Sequence, residues 1–410
     1  MTPRGPAPLL LCGLLLWVAC SPPSRAGLPA SGGAGPARAG RGAGALARLS
    51  SGGPDLRGAL SADRSGLLEA LEESLRWFEG ASSRDDFPVA GITHERAWAS
   101  VYALRQLLAE LEDAAELAAE IGRQFDVYMS RGSDGRGTVL FTGYYAPAFQ
   151  GSTTPSDEYR YPLYRLPDDL VVDAASGETR GRRVGERVLP YPRRAQIETS
   201  DLLAGLELVW LRDRFEAYLV HVQGSAAITL PDGSLMHIGY AGNNGHEYLS
   251  VALELVADGR LRQDELSLDR VRAYFDAHPD ELERYLHRNP RFVFFREASV
   301  ADWPVGSLGV RLTPLRSLAS DKDEFPPGGV VLVATEATDA AGRTRRFEQL
   351  MLDQDSGGAI RSAGRADLFF GIGPAAEGPA GRLYAEGRLY YLFLKPERVA
   401  QWRARGGLEP

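Results

Sequence analysis

The sequence predicts a mainly β protein with flanking helices, built on barrels rather than on a parallel sheet. From Thr138 onward, short stretches rich in β-branched and aromatic residues alternate with turn residues. The stretch "LPDGS" at 230–234 is typical of a hairpin, because Pro and Asp start the turn and Gly233 permits its backbone conformation. Many short strands separated by turns favour barrels.

Each element is predicted from its own pattern. Apolar residues at helical spacing predict a helix from Ser65 and a longer one over about 94–129. Further helices are expected near 246–257 and 268–287, where Pro279 starts a helical turn. Strands are predicted in "ELVWL", "AYLVHVQGSAAITL" and "SLMHIGY", and at 291–296, 329–335, 346–352 and 388–394.

Length and charge limit the classes of function. A chain of 410 residues fits two compact domains better than one. The net charge of −8, with Lys and Arg scattered along the chain, argues against nucleic acid as a partner, because phosphate binding requires basic patches.

The N-terminus predicts export. Arg4 is followed by the apolar run "LLLCGLLLWVAC", which is too short to span a bilayer and is typical of a signal peptide, residues 1–19. Its ending at Cys20 indicates a lipoprotein acylated on that cysteine, and the alternative is an ordinary signal cut after Ala26. Residues 20–59 are rich in Gly, Ala and Pro and predict a flexible tether.

The window "DQDSGGAIRSAGRADLFFGIG" at 353–373 concentrates aspartates among glycines. It is not an EF-hand, because Gly364 stands where a bidentate Glu is needed. No zinc set is apparent, since "HERAW" at 94–98 lacks the second histidine of its motif. A G-x-S-x-G elbow and a phosphate-binding loop are also missing, so neither metal nor cofactor is expected.

Glycoside cleavage remains, because it needs a protonated carboxyl group beside a closely approaching sugar. Two neighbouring carboxylates raise the proton affinity of one of them, and glycines let a broad polymer approach the backbone. From the pattern alone, the alternative that Asp-Ser-Gly-Gly is only a turn stays open.

Several ordered blocks resemble the membrane-bound lytic murein transglycosylase A family with its C-terminal three-aspartate domain. Ser320 departs from the family pattern, which has an apolar residue before the first aspartate. The blocks are "FTGYYAP" (141–147), "YPLYRLPDDLV" (161–171), "HVQGSAAITLPDG" (221–233), "IGYAGNNGHEY" (238–248), "NPRFVFF" (289–295), "PVGSLGVRLTPLRSLASD" (304–321) and the window above.

The resemblance implies non-hydrolytic cleavage of the β-1,4 bond between N-acetylmuramic acid and N-acetylglucosamine in peptidoglycan. The three family aspartates fall on Asp321, Asp355 and Asp367, with Asp367 as the acid/base and Asp355 as its neighbour. Asp353 is given no role and is expected to be solvated. Residues expected to border the glycan groove are Tyr144, Tyr145, Gln223, Ser225, Tyr240 and Asn244, besides Asp321.

The resemblance also implies an architecture and a location. A double-psi β-barrel catalytic domain is expected over 60–155 and 290–405, with a second β-barrel inserted over 156–289. The expected protein is a monomer, anchored by lipid to the periplasmic face of a Gram-negative outer membrane, with glycan strands as its partner. Two alternatives are a peptidoglycan hydrolase that uses Asp355 and Asp367 around a water, and a non-catalytic wall-binding lipoprotein.

Overall fold

The structure, a computed structural model, describes residues 40–51, 53–61, 64–173, 178–263, 266–299, 303–338, 343–358 and 360–407. Cys20 and the predicted signal peptide therefore lie outside the described residues. Within the described part of the chain, no helix is both long and apolar enough to cross a membrane.

The described helices and strands interleave along the whole chain. The helices are α1 Arg57–Leu60, α2 Ser65–Glu79, α3 His94–Glu110, α4 Ala114–Gln124, α5 Arg194–Glu198, α6 Arg214–Gln223, α7 Val251–Ala257, α8 Leu268–Ala277, α9 Leu282–Leu286, α10 Pro374–Arg382 and α11 Pro396–Arg405. The strands are β1 Leu46–Arg48, β2 Phe125–Ser130, β3 Val139–Ala146, β4 Ala148–Ser152, β5 Tyr161–Tyr164, β6 Leu170–Val172, β7 Thr179–Val184, β8 Arg187–Leu189, β9 Glu207–Leu211, β10 Ser225–Thr229, β11 Leu235–Asn243, β12 Val293–Ala298, β13 Ser317–Ala319, β14 Val330–Thr338, β15 Thr344–Asp355, β16 Arg365–Ile372 and β17 Tyr384–Leu394.

Six strands close into a barrel, which confirms the predicted sheet-rich fold. They run in the order β17-β14-β15-β13-β16-β3, and β3 pairs with β17 as well as with β16. Residues Val330–Val333 of β14 are completely buried on both faces, because the barrel interior covers one face and packed elements cover the other. Helix α2 packs on β15 and α3 packs on β17.

A second six-stranded sheet is formed by the middle of the chain, in the order β12-β11-β10-β4-β9-β5. Its two ends approach each other through a bridge between Arg165 and Phe295. Leu163, Val209 and Ile228 are fully buried in its core. A small sheet of β6, β7 and β8 adjoins it through the hydroxyl of Thr179, which donates to the carbonyl of Asn243 over 2.9 Å.

Ordered structure begins before residue 60, inside the stretch predicted as a tether. Strand β1 pairs antiparallel with β2. Leu56 and Leu60 are buried in the barrel's core cluster, with exposures of 7% and 1%. These apolar side chains give the segment enough buried area to hold it against the barrel.

The long helix predicted over 94–129 is divided. Helix α3 ends at Glu110, and Asp113 caps α4, because its carboxylate accepts a hydrogen bond from the N–H of Glu116 over 2.7 Å. The last part of the predicted helix is strand β2, which pairs with β17 at the barrel's edge. The helical prediction is therefore wrong from Phe125 to Met129, where pairing with β17 outweighs local periodicity.

The stretch "AYLVHVQGSAAITL" is also a helix before it is a strand. Asp213 accepts a hydrogen bond from the N–H of Glu216 and starts α6. Gly224 ends it in a left-handed conformation, with φ of 79°. Every residue from Ala217 to Gln223 is buried, so the helix shows no polar face in the sequence and resembles a buried strand.

Candidate active site

Two predicted aspartates lie on one face of the barrel wall. Ala319 of β13 is paired with Asp355 of β15 on one side and with Asp367 of β16 on the other. Residues directly opposite each other in a sheet share a face. The two aspartates therefore project to the same side, with Cα atoms about 10 Å apart because two strand spacings of about 4.8 Å separate them. Only the methyl group of Ala319 stands between them in the sheet.

Asp367 is held through one of its two carboxylate oxygens. Its Oδ1 accepts hydrogen bonds from the Thr142 hydroxyl over 2.6 Å and from Arg365 Nε over 3.1 Å. Arg365 Nη2 also donates to the Thr142 hydroxyl over 3.2 Å, which joins the three side chains. Among the described residues, none donates a hydrogen bond to Oδ2. Oδ2 is therefore the carboxylate oxygen that the described residues leave without a donor.

We expect Thr142→Val to lower the rate of glycan cleavage about ten- to a hundredfold, because a hydrogen bond to a charged group contributes about 1.5–3 kcal/mol. The carboxylate would lose its shortest donor and its orientation. Steady-state release of muropeptides measures the effect. Thr335→Val is the matched control, since Thr335 is equally buried on β14 and donates to Glu386 O instead. Equal losses in both variants would show that Thr142 acts only through stability.

Asp355 is fixed by donors from three segments. Its Oδ2 accepts from the Tyr144 hydroxyl over 2.8 Å. Its Oδ1 accepts from the backbone N–H groups of Ser307 and Ser356, each over 2.8 Å. A Cβ added to Gly306 would lie 2.6 Å from the Gln354 carbonyl oxygen, so a larger residue would push the Ser307 loop away. Asp355 thus fastens this loop and Tyr144 to the end of β15.

A bulge in β15 separates Asp353 from Asp355. Leu318 pairs with Asp353, whereas the next residue, Ala319, pairs with Asp355, so Gln354 is the extra residue. The bulge reverses the usual rule that residues two apart share a face. Asp355 consequently joins the face of Ala319, and Asp353 joins the face of Leu318 in the barrel core.

Asp353 is buried, and the prediction that it is solvated is wrong. None of its surface is exposed. Its carboxylate accepts from the Ser320 hydroxyl over 2.6 Å and the Tyr391 hydroxyl over 2.7 Å, and it pairs with Lys322. Ser320, the departure from the family pattern, therefore has a partner, and its N–H also donates to the Asp355 carbonyl over 3.1 Å.

Asp321, the first family aspartate, ties two loops together. Its Oδ2 accepts from the N–H of Ser362 over 2.8 Å, and its Oδ1 accepts from the N–H of Asp323 over 3.1 Å. Its backbone carbonyl accepts from Glu324 and Phe325 and starts the turn that leaves β13. The structure gives Asp321 a role in shaping the loop before Asp367.

Of the predicted sugar-contacting aromatics, Tyr144 meets the aspartates and Tyr145 does not. Successive residues of β3 face opposite sides. The ring of Tyr144 packs on Phe369 on the aspartate face, with centroids 5.3 Å apart. Tyr145 packs on the other face in a cluster with Ala376 and Ala380 of α10.

The remaining predicted contacts lie on the second sheet and on α6. Ser225 precedes Ala227 by two residues on β10, and Ala227 packs in the cluster that contains Tyr144. Gln223 is buried at the end of α6, and its Oε1 has no hydrogen-bond partner among the described residues. The Tyr240 hydroxyl accepts from Asn243 Nδ2 over 2.5 Å, and burial raises the pKa of Tyr240.

Asn244 uses its amide to join three backbone segments. Nδ2 donates to the carbonyls of Pro192 and Pro290, each over 2.9 Å, and Oδ1 accepts from the N–H of Phe292 over 2.8 Å. This geometry favours a role in positioning the Tyr240–Asn244 segment. Direct contact between Asn244 and a sugar stays a prediction.

Sequence reasoning missed Thr142, Arg365 and the Ser307 loop. Thr142 could have been found, because it lies two residues before Tyr144 in a strand and must share its face. Arg365 stands in the same relation to Asp367. Ser307 donates through its backbone N–H, which any residue except proline possesses. Its residue type therefore does not indicate this role, and only the fold shows it.

One acidic cluster in the described chain has the spacing of metal ligands. Oxygens of Glu198 and Glu283 and a ring nitrogen of His287 lie within 4.8 Å of one another. Arg214 pairs with both glutamates. Burial raises the pKa of Glu198, but Arg194, His287 and Arg214 outweigh it and hold the pKa well below its usual range. Because arginine already neutralises these carboxylates, the cluster fits an ion-pair network better than a metal site.

Comparisons with known proteins identify the family of this chain. Residues 140–296 match the MltA specific insert domain, and residues 316–393 match the 3D domain. The membrane-bound lytic murein transglycosylase A of Escherichia coli (strain K12) is 35% identical over 281 residues, which cover 67% of this chain and 71% of that protein.

Solved structures show the same fold. A membrane-bound lytic murein transglycosylase from Agrobacterium tumefaciens superposes with a TM-score of 0.72 at 26% identity, covering 88% of this chain and 100% of that one. E. coli MltA with bound chitohexaose superposes with a TM-score of 0.66 at 26% identity, covering 86% and 95%. With both domains matched and two thirds of the chain aligned to a curated relative, the chain belongs to the membrane-bound lytic murein transglycosylase A family.

Proposed function

We propose that this protein is a lytic transglycosylase that cuts the β-1,4 bond between N-acetylmuramic acid and N-acetylglucosamine and leaves a 1,6-anhydromuramyl end. The observation that carries the proposal is the carboxylate of Asp367, whose Oδ1 is held by two donors while no described residue donates to Oδ2. Membership of the family supports it, as does the chitohexaose bound to the E. coli relative.

In the first half of the reaction, Asp367 gives its proton to the glycosidic oxygen, and the bond from that oxygen to muramyl C1 breaks. In the second half, the muramyl C6 hydroxyl attacks C1 and gives its proton to Asp367. The carboxyl group is thereby restored, and no water is consumed. One residue serves as acid and then as base.

A single proton-transfer group is sufficient because the nucleophile belongs to the substrate. The C6 hydroxyl and C1 lie in one sugar ring, so their effective concentration is far above that of a dissolved nucleophile. Asp355 then has no nucleophile to activate. It holds Tyr144 and the Ser307 loop beside the reacting bond.

The finer architecture is part of the proposal. The closed barrel is a double-psi β-barrel over 60–155 and 290–405, and the second sheet is an inserted barrel over 156–289. Glycan lies between them, bordered by Tyr144, Gln223, Ser225 and Tyr240, whereas Tyr145 packs against α10 on the opposite face of β3 and Asn244 positions the segment that carries Tyr240. The packing of Ala227 from the second sheet against Tyr144 and Phe369 supports a groove at this junction.

Digestion of purified murein sacculi by the purified enzyme tests the activity. The products are separated and weighed by mass spectrometry. A lytic transglycosylase releases anhydro-muropeptides. A hydrolase that uses Asp355 and Asp367 around a water would release reducing ends, heavier by one water, and a wall-binding lipoprotein would release nothing.

We also propose that the mature protein is anchored through lipid on Cys20 to the periplasmic face of the outer membrane and works as a monomer. The relatives are named membrane-bound, which supports association with a membrane. A lipid anchor holds the enzyme near its substrate while leaving the glycan groove free.

We expect Cys20→Ala to move active enzyme from the membrane fraction to the soluble periplasmic fraction. Acyl chains contribute about 0.8 kcal/mol per buried CH₂, so losing them removes most of the membrane affinity. Fractionation with activity staining measures this. Cys12→Ala is the control, since Cys12 lies within the predicted signal peptide. A variant that stays with the membrane after its signal has been removed would refute the anchor.

A further inference from the structure

Arg291 has an unusual environment for a guanidinium group. Its Nη1 donates to the carbonyl of His246 over 3.2 Å, and its Nε is buried with no hydrogen-bond partner among the described residues. Burial lowers the pKa of Arg291, and the only nearby group that raises it is the Tyr240 hydroxyl. The described chain supplies no carboxylate to pair with this cation.

A second unpaired arginine lies close by. The positive charge of Arg361 further lowers the pKa of Arg291, so the two guanidinium groups repel each other. Arg361 is exposed and makes no ion pair or hydrogen bond with any described residue. By contrast, buried Arg194 pairs with Glu198 and buried Arg365 pairs with Asp367. Two neighbouring arginines without an acid are therefore a feature that packing alone does not explain.

The pair adjoins the proposed catalytic face. A Cβ added to Gly358 would lie 3.5 Å from Arg291 Cζ, so the guanidinium lies against the backbone of the loop that follows β15. Gly358 is three residues from Asp355, which limits the separation of their Cα atoms to about 11 Å. Arg361 belongs to the same loop, between Asp355 and Asp367. An anionic group bound here would lie beside the loop that joins Asp355 to Asp367.

We propose that Arg291 and Arg361 form a subsite that binds a carboxylate of the substrate. A desolvated guanidinium without a counter-charge costs free energy, and a carboxylate supplies both the charge and two acceptor oxygens in the matching geometry. The parallel N–H donors of a guanidinium group fit such a planar anion better than they fit a neutral sugar hydroxyl. The glycine at 358 lets the arginine approach the loop without a side chain between them.

This inference rests on the proposed function and names which part of peptidoglycan the subsite takes. The glycan backbone sugars carry no charge apart from the lactyl group on the muramyl residue. That group is a free carboxylate in stem-free strands, and in native murein it is linked to a peptide stem that carries carboxylates of its own. Both sources offer the same chemistry, and the experiment separates them.

Isothermal titration calorimetry tests the subsite in the full chain carrying Asp367→Asn, so that ligands stay uncut. Three ligands are compared: chitohexaose, a stem-free murein oligosaccharide and the same oligosaccharide with its peptide stems. The test variants are Arg361→Gln and Arg291→Lys. Arg183→Gln is the control, since Arg183 is an exposed arginine on β7 with no described partner and loses the same charge.

We expect Arg361→Gln to weaken binding of the anionic ligand about tenfold, the loss typical of one charge-assisted hydrogen bond. Binding of neutral chitohexaose should stay unchanged, and Arg183→Gln should change neither. A loss seen already with the stem-free ligand assigns the lactyl carboxylate, and a loss seen only with stems assigns the peptide. Arg291→Lys keeps the positive charge but removes the two parallel N–H donors of the guanidinium group. It should show a smaller loss of affinity for the anionic ligand.

Unchanged affinity of Arg361→Gln for both anionic ligands would overturn the subsite, as would an equal loss for chitohexaose. Because binding is measured separately from cleavage, failure of the proposed function can be distinguished from failure of the subsite. A wild-type enzyme that cuts no sacculi but binds anionic ligands through Arg361 would refute the activity and leave the subsite standing.

Discussion

Replacing Asp367 by Asn should reduce the release of anhydro-muropeptides by about 10²–10⁴-fold, the range that general acid–base catalysis commonly supplies. Asparagine keeps the shape of the side chain and can still accept from Thr142 and Arg365, so the site should stay folded. It cannot give or take the proton that both half-reactions require. The loss should appear in kcat, while binding to sacculi is retained.

The matched variants are Asp355→Asn and Asp168→Asn. Asp355→Asn should reduce the release of anhydro-muropeptides less than Asp367→Asn does. In the proposed reaction, Asp355 positions Tyr144 and the Ser307 loop and exchanges no proton. Asp168 is an exposed residue before β6 and should be neutral. A fully active Asp367→Asn enzyme would remove Asp367 from the reaction.

Asp353→Ala should lower the free energy of unfolding of the barrel by about 3–5 kcal/mol, the cost of removing one partner of a buried ion pair. Lys322 would lose its counter-charge, and the hydroxyls of Ser320 and Tyr391 would lose an acceptor. A urea titration followed by circular dichroism measures the loss. This expectation replaces the near-neutral effect that a solvated aspartate would give.

Asp168→Ala is the control for this experiment, because it deletes the same carboxylate from an exposed site. The two variants should differ by several kcal/mol, and activity per folded molecule should fall far less in Asp353→Ala than in Asp367→Asn. Equal stability of the two variants would contradict the buried pair. Complete inactivity of a well-folded Asp353→Ala protein would move the proton-transfer role towards Asp353.

The sequence predicted strands best where a run of apolar residues is also buried in the folded protein. Strands β14, β15 and β17 overlap the predicted ranges because each contains a run of buried apolar residues, at 330–333, 350–352 and 391–394. Helix α6 was missed because every residue from Ala217 to Gln223 is buried, so this part of the helix has no polar stripe. Its caps, Asp213 and Gly224, were the only local signal of a helix.

The site was predicted in its residue types more than in its geometry. Asp355 and Asp367 lie together as expected, but the bulge that sends Asp353 to the opposite face depends on pairing with β13, far along the chain. The anchor of Asp367 by Thr142 depends on the parallel pairing of β16 with β3. The Arg291–Arg361 pair is likewise formed by two segments that no short-range pattern connects.

Digestion of sacculi in water enriched in ¹⁸O tests the central claim most directly. In the proposed reaction, the oxygen that closes onto muramyl C1 comes from the C6 hydroxyl of the same sugar. We therefore predict anhydro-muropeptides of unshifted mass, with no ¹⁸O at C1. Muropeptides with reducing ends that carry ¹⁸O at C1 would show that water is the nucleophile and would contradict the account.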